Sequence, residues 1–378
     1  MRLIHLSDLH IGKRVNDFSM LEDQKYILGQ ILRIIDKYNP DGVLIAGDVY
    51  DKAVPSAEAT VVLDSFLVEL ASRNLPTFII GGNHDSQERL SFGSRLIDKS
   101  GIYISPAYCG KIMPHTLCDE YGEVNIYQLP FVKPIMVKHG SDKEISSYTD
   151  AVKFVVDEME IDKTKRNILI SHQLVTGAER SDSEEISIGG TDNIDASVLM
   201  DFDYVALGHL HRPQGCGVDK IRYCGTPLKY SFSEAKDKKS VTIIDLGKKG
   251  ELNITTEPLI PLHNMVELKG TYNDLTKIDF YKDTTYQTDY VHITLTDEED
   301  VLDAIGKLRI IYKNLMKLDY DNTRTRKNLE IDGASDVEKK TPLEIFEELY
   351  TLQNNKGMTD EQKNLVTTLI EKIWGAEQ

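Results

Sequence analysis

The sequence predicts an α/β protein with a layered core, a small second α/β domain and a pair of C-terminal helices. Three patterns lead to this prediction. Short apolar runs alternate with amphipathic helical segments up to about residue 258. The pattern changes near Pro258-Leu-Ile-Pro261, which predicts a domain boundary. Two further apolar stripes at helical spacing end the chain. The predicted divisions are 1–258, 259–320, a linker over 321–340, and 341–378.

Five apolar runs in the first division are predicted to be buried strands, because each is brief and is followed by turn-forming residues. They are Arg2–Leu6, Gly42–Ala46, Thr77–Ile80, Asn167–Ile170 and Tyr204–Leu207. Apolar residues at helical spacing predict one helix after the first strand and another that begins at Ser56. Two later runs, Ser240–Asp245 and Leu252–Glu257, are predicted to complete the sheet.

The second division, 259–320, is predicted to be a small capping domain. Its elements are a strand over Tyr290–Leu295, a helix, and strand-like residues Ile311–Leu318. Thr296 and Glu299 have the spacing of a capping box, so the helix is predicted to begin there.

The last part of the chain is predicted to be a polar linker and two helices. Residues 321–340 carry five acidic and five basic residues without an apolar period, which is typical of a linker. Thr341 is the predicted cap of the first helix, and Thr359 with Gln362 at N3 opens the second. Their apolar faces could fold back on the main domain or bind a partner protein, and the pattern alone favours neither.

Composition limits the classes of function. The net charge of −17 argues against a general DNA-coating protein, because neutralising phosphates requires clustered Lys and Arg. It leaves room for a nuclease whose metals contact phosphate directly, or for a subunit whose partner holds most of the DNA. No run of 18 apolar residues is present, the N-terminus becomes polar early, and the four cysteines form no C-x-x-C pair. We therefore expect a cytoplasmic protein.

Polar motifs follow the five predicted strands, at the position where open α/β sheets bind ligands. In chain order they are Ser7-Asp8-Leu9-His10, Gly47-Asp48-Val49-Tyr50-Asp51, Gly81-Gly82-Asn83-His84-Asp85, Ser171-His172-Gln173 and Gly208-His209-Leu210-His211. Each motif alone is commonplace, since Asn and Asp favour turns and a single histidine is more often structural. Five in succession, however, supply carboxylate, amide and imidazole donors that suit Mn²⁺, Fe²⁺ or Zn²⁺.

The donors also differ in what they can do. Residues at i and i+2 of an extended chain face the same side, so Asp8 and His10 can bind one ion. The two carboxylate oxygens of Asp48 could bridge two ions, and Asn83 offers a neutral oxygen. His84 would project differently from Asn83, which leaves it free to reach a substrate.

This motif series resembles that of the calcineurin-like metallophosphoesterases. More narrowly, Asp8-Leu-His-Ile-Gly12, Gln128-Leu-Pro-Phe131 and Gly225-Thr-Pro-Leu-Lys-Tyr-Ser-Phe-Ser-Glu234 are similar to strings of the SbcD-type nuclease subunits. The resemblance implies a layered β-sandwich flanked by helices, holding two divalent metal ions, Mn²⁺ in our expectation. It places one metal on Asp8, His10, Asp48 and His211, and the other on Asp48, Asn83, His172 and His209. It makes His84 the catalytic histidine, which would contact the scissile phosphate or protonate the leaving oxygen. Archaeal relatives carry a second active-site histidine where this chain has Asp51.

The resemblance also implies a function. Nucleases of this type cut duplex ends as exonucleases and hairpins or single strands as endonucleases, in DNA repair, recombination and replication. The C-terminal helices are then expected to dock on an SbcC-like ATPase, with a homodimer inside a heterotetramer. The alternatives are a small-substrate phosphodiesterase or phosphomonoesterase, and a scaffold that binds DNA ends with weak catalysis. The complete ligand set argues against the scaffold.

Overall fold

The computed structural model of the chain describes residues 1–138, 145–179, 184, 192–325, 342–354 and 356–374. The chain divides into two compact units, Met1–Asn264 and Met265–Gln378. Among the described residues, no helix is long and apolar enough to cross a membrane.

The first unit alternates strands and helices along most of its length. Its strands are β1 (Arg2–Leu6), β2 (Arg14–Val15), β3 (Phe18–Ser19), β4 (Gly42–Ala46), β5 (Thr77–Ile80), β6 (Ile102–Ile104), β7 (His115–Asp119), β8 (Gly122–Leu129), β9 (Arg166–Ser171), β10 (Leu174–Val175), β11 (Asn193–Ile194), β12 (Tyr204–Leu207), β13 (Gln214–Cys216), β14 (Val218–Tyr223), β15 (Ser240–Leu246) and β16 (Leu252–Pro258). Its α-helices are α1 (Leu21–Tyr38), α2 (Ala57–Ser72), α3 (Gln87–Leu90), α4 (Ser94–Ile97), α5 (Pro134–Lys138) and α6 (Tyr148–Glu158). Short 3₁₀ turns cover Asp98–Ser100, Ala196–Leu199 and Phe232–Glu234.

Two six-stranded sheets form the core of the described part of this unit. The first has the order β16-β15-β1-β4-β5-β6, in which β1, β4, β5 and β6 run parallel. The second has the order β13-β14-β12-β9-β8-β7, with β14, β12, β9 and β8 parallel. Antiparallel strands β15 and β16 extend the first sheet, while β7 and β13 form the edges of the second.

The two sheets pack face to face. Leu44 and Ala46 of the first sheet share one buried cluster with Ile168 and Ile170 of the second. Leu169, between the latter two, points to the opposite face and packs with buried residues of α6. Alternate residues of one strand thus reach two hydrophobic layers, as strand geometry requires. The predicted layered β-sandwich flanked by helices is confirmed.

The predicted helices of this unit follow their capping and apolar signals. Helix α2 begins directly after Ser56, whose hydroxyl accepts a hydrogen bond from the Ala59 amide at 3.2 Å. Helix α1 ends at Asn39, which takes the left-handed conformation common after helices. The edge strands β7 and β13 and the strands β8 and β14 were not among the predicted elements.

The second unit contains a three-stranded parallel sheet. Its strands are β17 (Met265–Gly270), β18 (Tyr290–Leu295) and β19 (Asn314–Tyr320), with β18 in the centre, and its helices are α7 (Tyr272–Leu275), α8 (Ile278–Tyr281) and α9 (Ala304–Arg309). Strand β18 has the predicted bounds, whereas β17 was not predicted.

The predicted start of helix α9 at Thr296 is wrong, because α9 begins at Ala304. The Thr296 amide instead donates to the Gly270 carbonyl, in continuation of the sheet. The carboxylate of Asp297 accepts from the Tyr272 amide at 2.7 Å. The bond to Gly270 uses the Thr296 amide, which would donate to the Glu299 side chain in a capping box.

Two helices, Pro342–Asn354 and Asp360–Trp374, end the described chain. The predicted capping box of the second is confirmed: the Gln362 amide donates to the Thr359 hydroxyl at 3.3 Å, and the Thr359 amide donates to the Gln362 side chain at 2.9 Å. The predicted cap Thr341 and residues 326–340 of the predicted linker lie outside the described residues.

Candidate metal centre

The five motifs lie at the carboxyl ends of strands from both sheets. Strands β1, β4 and β5 of the first sheet lead into the loops of Asp8, Asp48 and Asn83. Strands β9 and β12 of the second lead into the loops of His172 and His209. Because the parallel strands of each sheet end at one edge, side chains from distant parts of the sequence meet there.

Glycine allows the two sheets to approach each other closely at this edge. A Cβ atom on Gly208 would lie 1.8 Å from the Ala46 carbonyl oxygen, and one on Gly47 would lie 2.3 Å from Nδ1 of His172. That His172 nitrogen is 2.8 Å from the same Ala46 oxygen, which joins β4 to the loop after β9. Only glycine fits the backbone separation that brings the loops together.

Four of the candidate residues have strained backbones. Asp8, His10, Asp48 and His209 have φ values of 52°, 44°, 48° and 102°, in the left-handed region that costs side-chain-bearing residues energy. Hydrogen bonds between the loops hold them there, including the Asp8 amide to the Gly47 carbonyl at 3.0 Å. Strain of this kind is typical of functional sites that the surrounding fold over-determines.

One group of donors comprises Asp8, His10 and His211, whose ligand-type atoms lie within 4.8 Å of one another. All three side chains are buried. The Nε2 atoms of His10 and His211 are 3.2 Å apart, so the two rings point at one place. Both oxygens of Asp8 face the amide of His209, at 3.0 and 3.2 Å.

A second group of donors surrounds the side-chain oxygen of Asn83. This oxygen lies 3.0 Å from Nε2 of His172 and 2.9 Å from Nδ1 of His209. Asp48 lies between the two groups, since its Oδ2 is 3.3 Å from Nε2 of His172 and 3.7 Å from Nε2 of His10. The structure therefore brings all seven predicted ligands together, in an arrangement with Asp48 at the centre.

His84 is placed differently from these seven residues. Its Nε2 lies 4.0 Å from Oδ2 of Asp48, and its amide donates to Oδ1 of Asp48 at 2.9 Å. Its Nδ1 is 3.0 Å from the main-chain oxygen of Asp51. The ring is 17% exposed, unlike the buried histidines predicted as ligands, so an external molecule can reach it.

The burial of these ionisable groups perturbs their protonation. Burial raises the pKa of the Asp8 carboxyl to about 6 and lowers the pKa of His209 to about 3. Burial also disfavours the charged form of His172, yet the nearby Asp48 carboxylate raises the pKa of this imidazole to about 9. A buried cluster that mixes carboxylates with imidazoles is suited to binding cations. A bound cation would take the place of the protons that these buried groups share.

Asp85, for which the sequence indicates no role, connects two loops of the candidate site. Its carboxylate accepts hydrogen bonds from the amides of Val49, Tyr50 and Gly82, at 3.0, 2.9 and 2.9 Å. It thereby joins the loop of Asp48 to the loop of Asn83. The signal was present in Gly-Gly-Asn-His-Asp, whose last residue had no assigned role.

Further contacts join the predicted ligands to more distant residues. The His211 amide donates to Oε1 of Glu184 at 2.6 Å. Burial opposes the ionisation of Glu234, but His211 and Lys239 hold the pKa of its carboxyl down to about 2. Glu234 is the last residue of the Gly225–Glu234 string, for which the sequence had suggested no individual role.

Comparison with known proteins places these observations in a family. A family model described as calcineurin-like phosphoesterase matches residues 1–213, and one described as type 5 capsule protein repressor C-terminal domain matches 261–354. The chain is 33% identical over 383 residues to the SbcD component of the SbcCD nuclease from Staphylococcus epidermidis, across 98% of this chain and 100% of that protein.

Solved structures with lower similarity also match. A dimetal phosphatase from Danio rerio is 11% identical, with a TM-score of 0.44 over 69% of this chain and 96% of that one. TT1561 of Thermus thermophilus is 12% identical, with a TM-score of 0.41 over 68% of this chain and 98% of that one.

Proposed function

Because this chain belongs to the calcineurin-like phosphoesterase family, and within it to the SbcD nuclease subunits, it is a metal-dependent phosphodiester hydrolase, and we propose that its substrate is DNA. The observation that carries the proposal is the convergence of seven buried or half-buried donors, with Asp48 at their centre and the partly exposed His84 beside them. The activity is exonucleolytic on duplex ends and endonucleolytic on hairpins or single strands. It takes place in the cytoplasm, in DNA repair, recombination and replication.

The proposed ligand assignment follows the two groups of donors. Asp8, His10, Asp48 and His211 hold one divalent ion, and Asp48, Asn83, His172 and His209 hold the other. The donors are oxygens and imidazole nitrogens without a thiolate, which fits Mn²⁺ among the first-row metals. Their grouping supports this assignment, since the Nε2 atoms of His10 and His211 meet at 3.2 Å and Asn83 joins His172 to His209.

Two such ions, when bound, would supply positive charge to the phosphate oxygens and lower the pKa of the attacking water. A side chain of the protein then protonates the leaving group. The attacking water loses a proton to solvent, a new P–O bond forms between its oxygen and phosphorus, and the P–O bond to the departing sugar oxygen breaks. The carbonyl of Asp51 at Nδ1 orients His84, so that the other ring nitrogen faces the site and donates a proton to the departing oxygen.

The C-terminal helices are proposed to bind an SbcC-like ATPase. Four apolar side chains on the two helices are 43–63% exposed: Phe346, Leu349, Leu365 and Leu369. Exposed apolar residues at helical spacing are the anchors by which a helix binds in a partner's groove. The segment 341–378 carries three lysines and seven acidic residues, a net charge of 3 − 7 = −4, so it is unsuited to holding DNA. Two such complexes associate through a homodimer of this chain, giving a heterotetramer.

The proposal is tested with the purified chain, Mn²⁺ and end-labelled duplex DNA, with and without its ATPase partner and ATP. We expect degradation that requires metal and is lost in His84→Ala. A dependence on partner and ATP would support the end-processing complex. Hydrolysis of a small phosphodiester without any cleavage of DNA would overturn the nuclease proposal and favour the small-substrate alternative. DNA binding without hydrolysis of either substrate would favour the scaffold.

A further inference from the structure

Two of the proposed metal-binding histidines each have a carboxylate behind the ring nitrogen that points away from the donor cluster. Oε1 of Glu234 lies 3.6 Å from Nδ1 of His211. Oδ1 of Asp51 lies 3.7 Å from Nδ1 of His10. Both rings belong to the first donor group, and their Nε2 atoms are the ones that meet at 3.2 Å.

Each of these carboxylates is paired with a lysine. Nζ of Lys239 donates to Oε2 of Glu234 at 2.5 Å, and Nζ of Lys13 donates to Oδ1 of Asp51 at 2.7 Å. Glu234 and Lys239 are almost entirely buried, and the side chains of Asp51 and Lys13 are 12% and 14% exposed. A buried carboxylate without a partner would be costly, so these lysines allow negative charge to remain beside the rings.

Side chains outside the donor cluster hold the main chain of both histidines. Nζ of Lys239 also donates to the His211 carbonyl at 2.8 Å. The side-chain nitrogen of Gln24 donates to the His10 carbonyl at 2.7 Å and to the Tyr230 hydroxyl at 3.0 Å. Tyr230 and Glu234 both belong to the Gly225–Glu234 string, which therefore contacts or supports both histidines.

Imidazole chemistry explains why this arrangement matters. A neutral imidazole that binds a cation through Nε2 must carry its proton on Nδ1. A carboxylate facing Nδ1 favours that tautomer, orients the ring and makes Nε2 a stronger donor. We propose that Glu234 and Asp51, each paired with its lysine, are positioning residues that prepare His211 and His10 to bind the first metal ion. This inference rests on the metal ligands assigned under the proposed function.

A histidine ring of the second donor group is oriented in another way, so the predicted effect is limited to one of the two metal ions. Nδ1 of His172 is 2.8 Å from the main-chain oxygen of Ala46, so a carbonyl orients this ring in place of a carboxylate. Substitution of Glu234 or Asp51 should therefore weaken the binding of the first metal ion and leave the binding of the second unchanged. A general loss of protein stability would weaken the binding of both ions.

The test is a titration of metal-stripped protein with MnCl₂, followed by calorimetry and by electron paramagnetic resonance of the bound ions. For wild type we expect two ions. For Glu234→Gln and for Asp51→Asn we expect the affinity for one ion to fall by about 10–100-fold, with the other retained. The matched control is Asp119→Asn, which also neutralises an ion-paired carboxylate, that of Asp119 with Arg166 at the opposite end of β9.

Each outcome has a distinct meaning. Unchanged affinity for both ions in both variants would overturn the positioning role and leave the proposed function intact. An equal loss in Asp119→Asn would overturn it as well, since the effect would then be one of stability. A wild-type protein that binds no Mn²⁺ would overturn the metal assignment itself. If Glu234→Gln does not fold by circular dichroism, the more exposed Asp51→Asn provides the same test.

Discussion

Nδ1 of His84 lies 3.0 Å from the main-chain oxygen of Asp51, while the Asp51 side chain faces Lys13 and His10. One residue therefore supports two neighbouring histidines through different groups. Because the backbone oxygen survives any substitution, changes to the Asp51 side chain should spare the orientation of His84. Effects on metal affinity and on proton donation can thus be separated at this position.

Removal of His84 should abolish most hydrolysis without loss of metal. His84→Ala is expected to lower kcat by about 10²–10⁴-fold, which is what a general acid typically contributes. The Mn²⁺ stoichiometry should stay at the wild-type value, because the ring is proposed to act on the leaving group. His292→Ala in the second unit is the control and should cleave DNA normally. Wild-type kcat in His84→Ala would exclude the proposed role.

Alanine at position 208 should destabilise the sandwich where its two sheets meet. The new Cβ would lie 1.8 Å from the Ala46 oxygen, so the backbones must separate, at a cost of about 1–3 kcal/mol or more. The free energy of unfolding in urea measures this cost. Gly29→Ala is the control, because its Cβ would meet only the end of the Arg33 side chain at 3.8 Å inside helix α1. That substitution should stabilise the helix by up to about 1 kcal/mol. Equal stability of the two variants would contradict the prediction.

The ion pair of Asp119 with Arg166 should make stability depend on pH in the acid range. Hydrogen bonds from Arg166 hold the pKa of the Asp119 carboxyl well below its ordinary value. The unfolded chain therefore binds this proton at a higher pH than the folded chain does. The stabilisation is complete above the unfolded pKa of about 4 and is lost as pH falls through the lower, folded pKa.

Asp119→Asn measures this contribution. The variant should be less stable than wild type by about 1–3 kcal/mol at pH 7, and the difference should shrink as the pH falls below about 4. Thermal unfolding at a series of pH values gives both quantities. A difference that grew on acidification would show that the sign of the linkage is wrong.

Deletion of residues 341–378 should abolish binding to the ATPase partner and spare hydrolysis of a small phosphodiester. The deleted segment carries the exposed Phe346, Leu349, Leu365 and Leu369 and contributes no residue to the donor cluster described above. Size-exclusion chromatography with the partner measures the complex. Replacement of Phe346 and Leu365 by Ser tests the same partner site and keeps the chain length. A complex of wild-type affinity after the deletion would move the partner site elsewhere.

The sequence predicted the central strands well and the edges poorly. Runs such as Gly42–Ala46 are buried on both faces, so they are continuously apolar and easy to recognise. Strand β7 (His115–Asp119) has one exposed face and one half-buried face and mixes polar with apolar residues, which gives a weak signal. The helix start at Thr296 was wrong because the Thr296 amide bonds to the Gly270 carbonyl, a tertiary contact that no local pattern contains.

The residues of the candidate site also differ in how well the sequence predicts them. Its seven proposed ligands and His84 follow strands, so strand prediction and residue chemistry were enough to list them. Glu234 could not be assigned from sequence, because it meets His211 across 23 positions and its charge depends on Lys239. No sequence spacing identifies a residue that acts through another residue. Residues at the ends of strands can be recognised from the strand pattern.

The distribution of the donors along the chain has a consequence for the order of events during synthesis. Asp8 and His209 contact each other although 201 positions separate them, and the last proposed ligand is His211. A nascent chain that has not yet released this residue from the ribosome lacks part of the first donor group. With the proposed ligands, we therefore expect no hydrolytic activity while only the parallel strands of the first sheet have emerged. The lysine-paired carboxylate of Glu234 delays completion of the site further, so the cell makes well over half of this chain before it contains a competent enzyme.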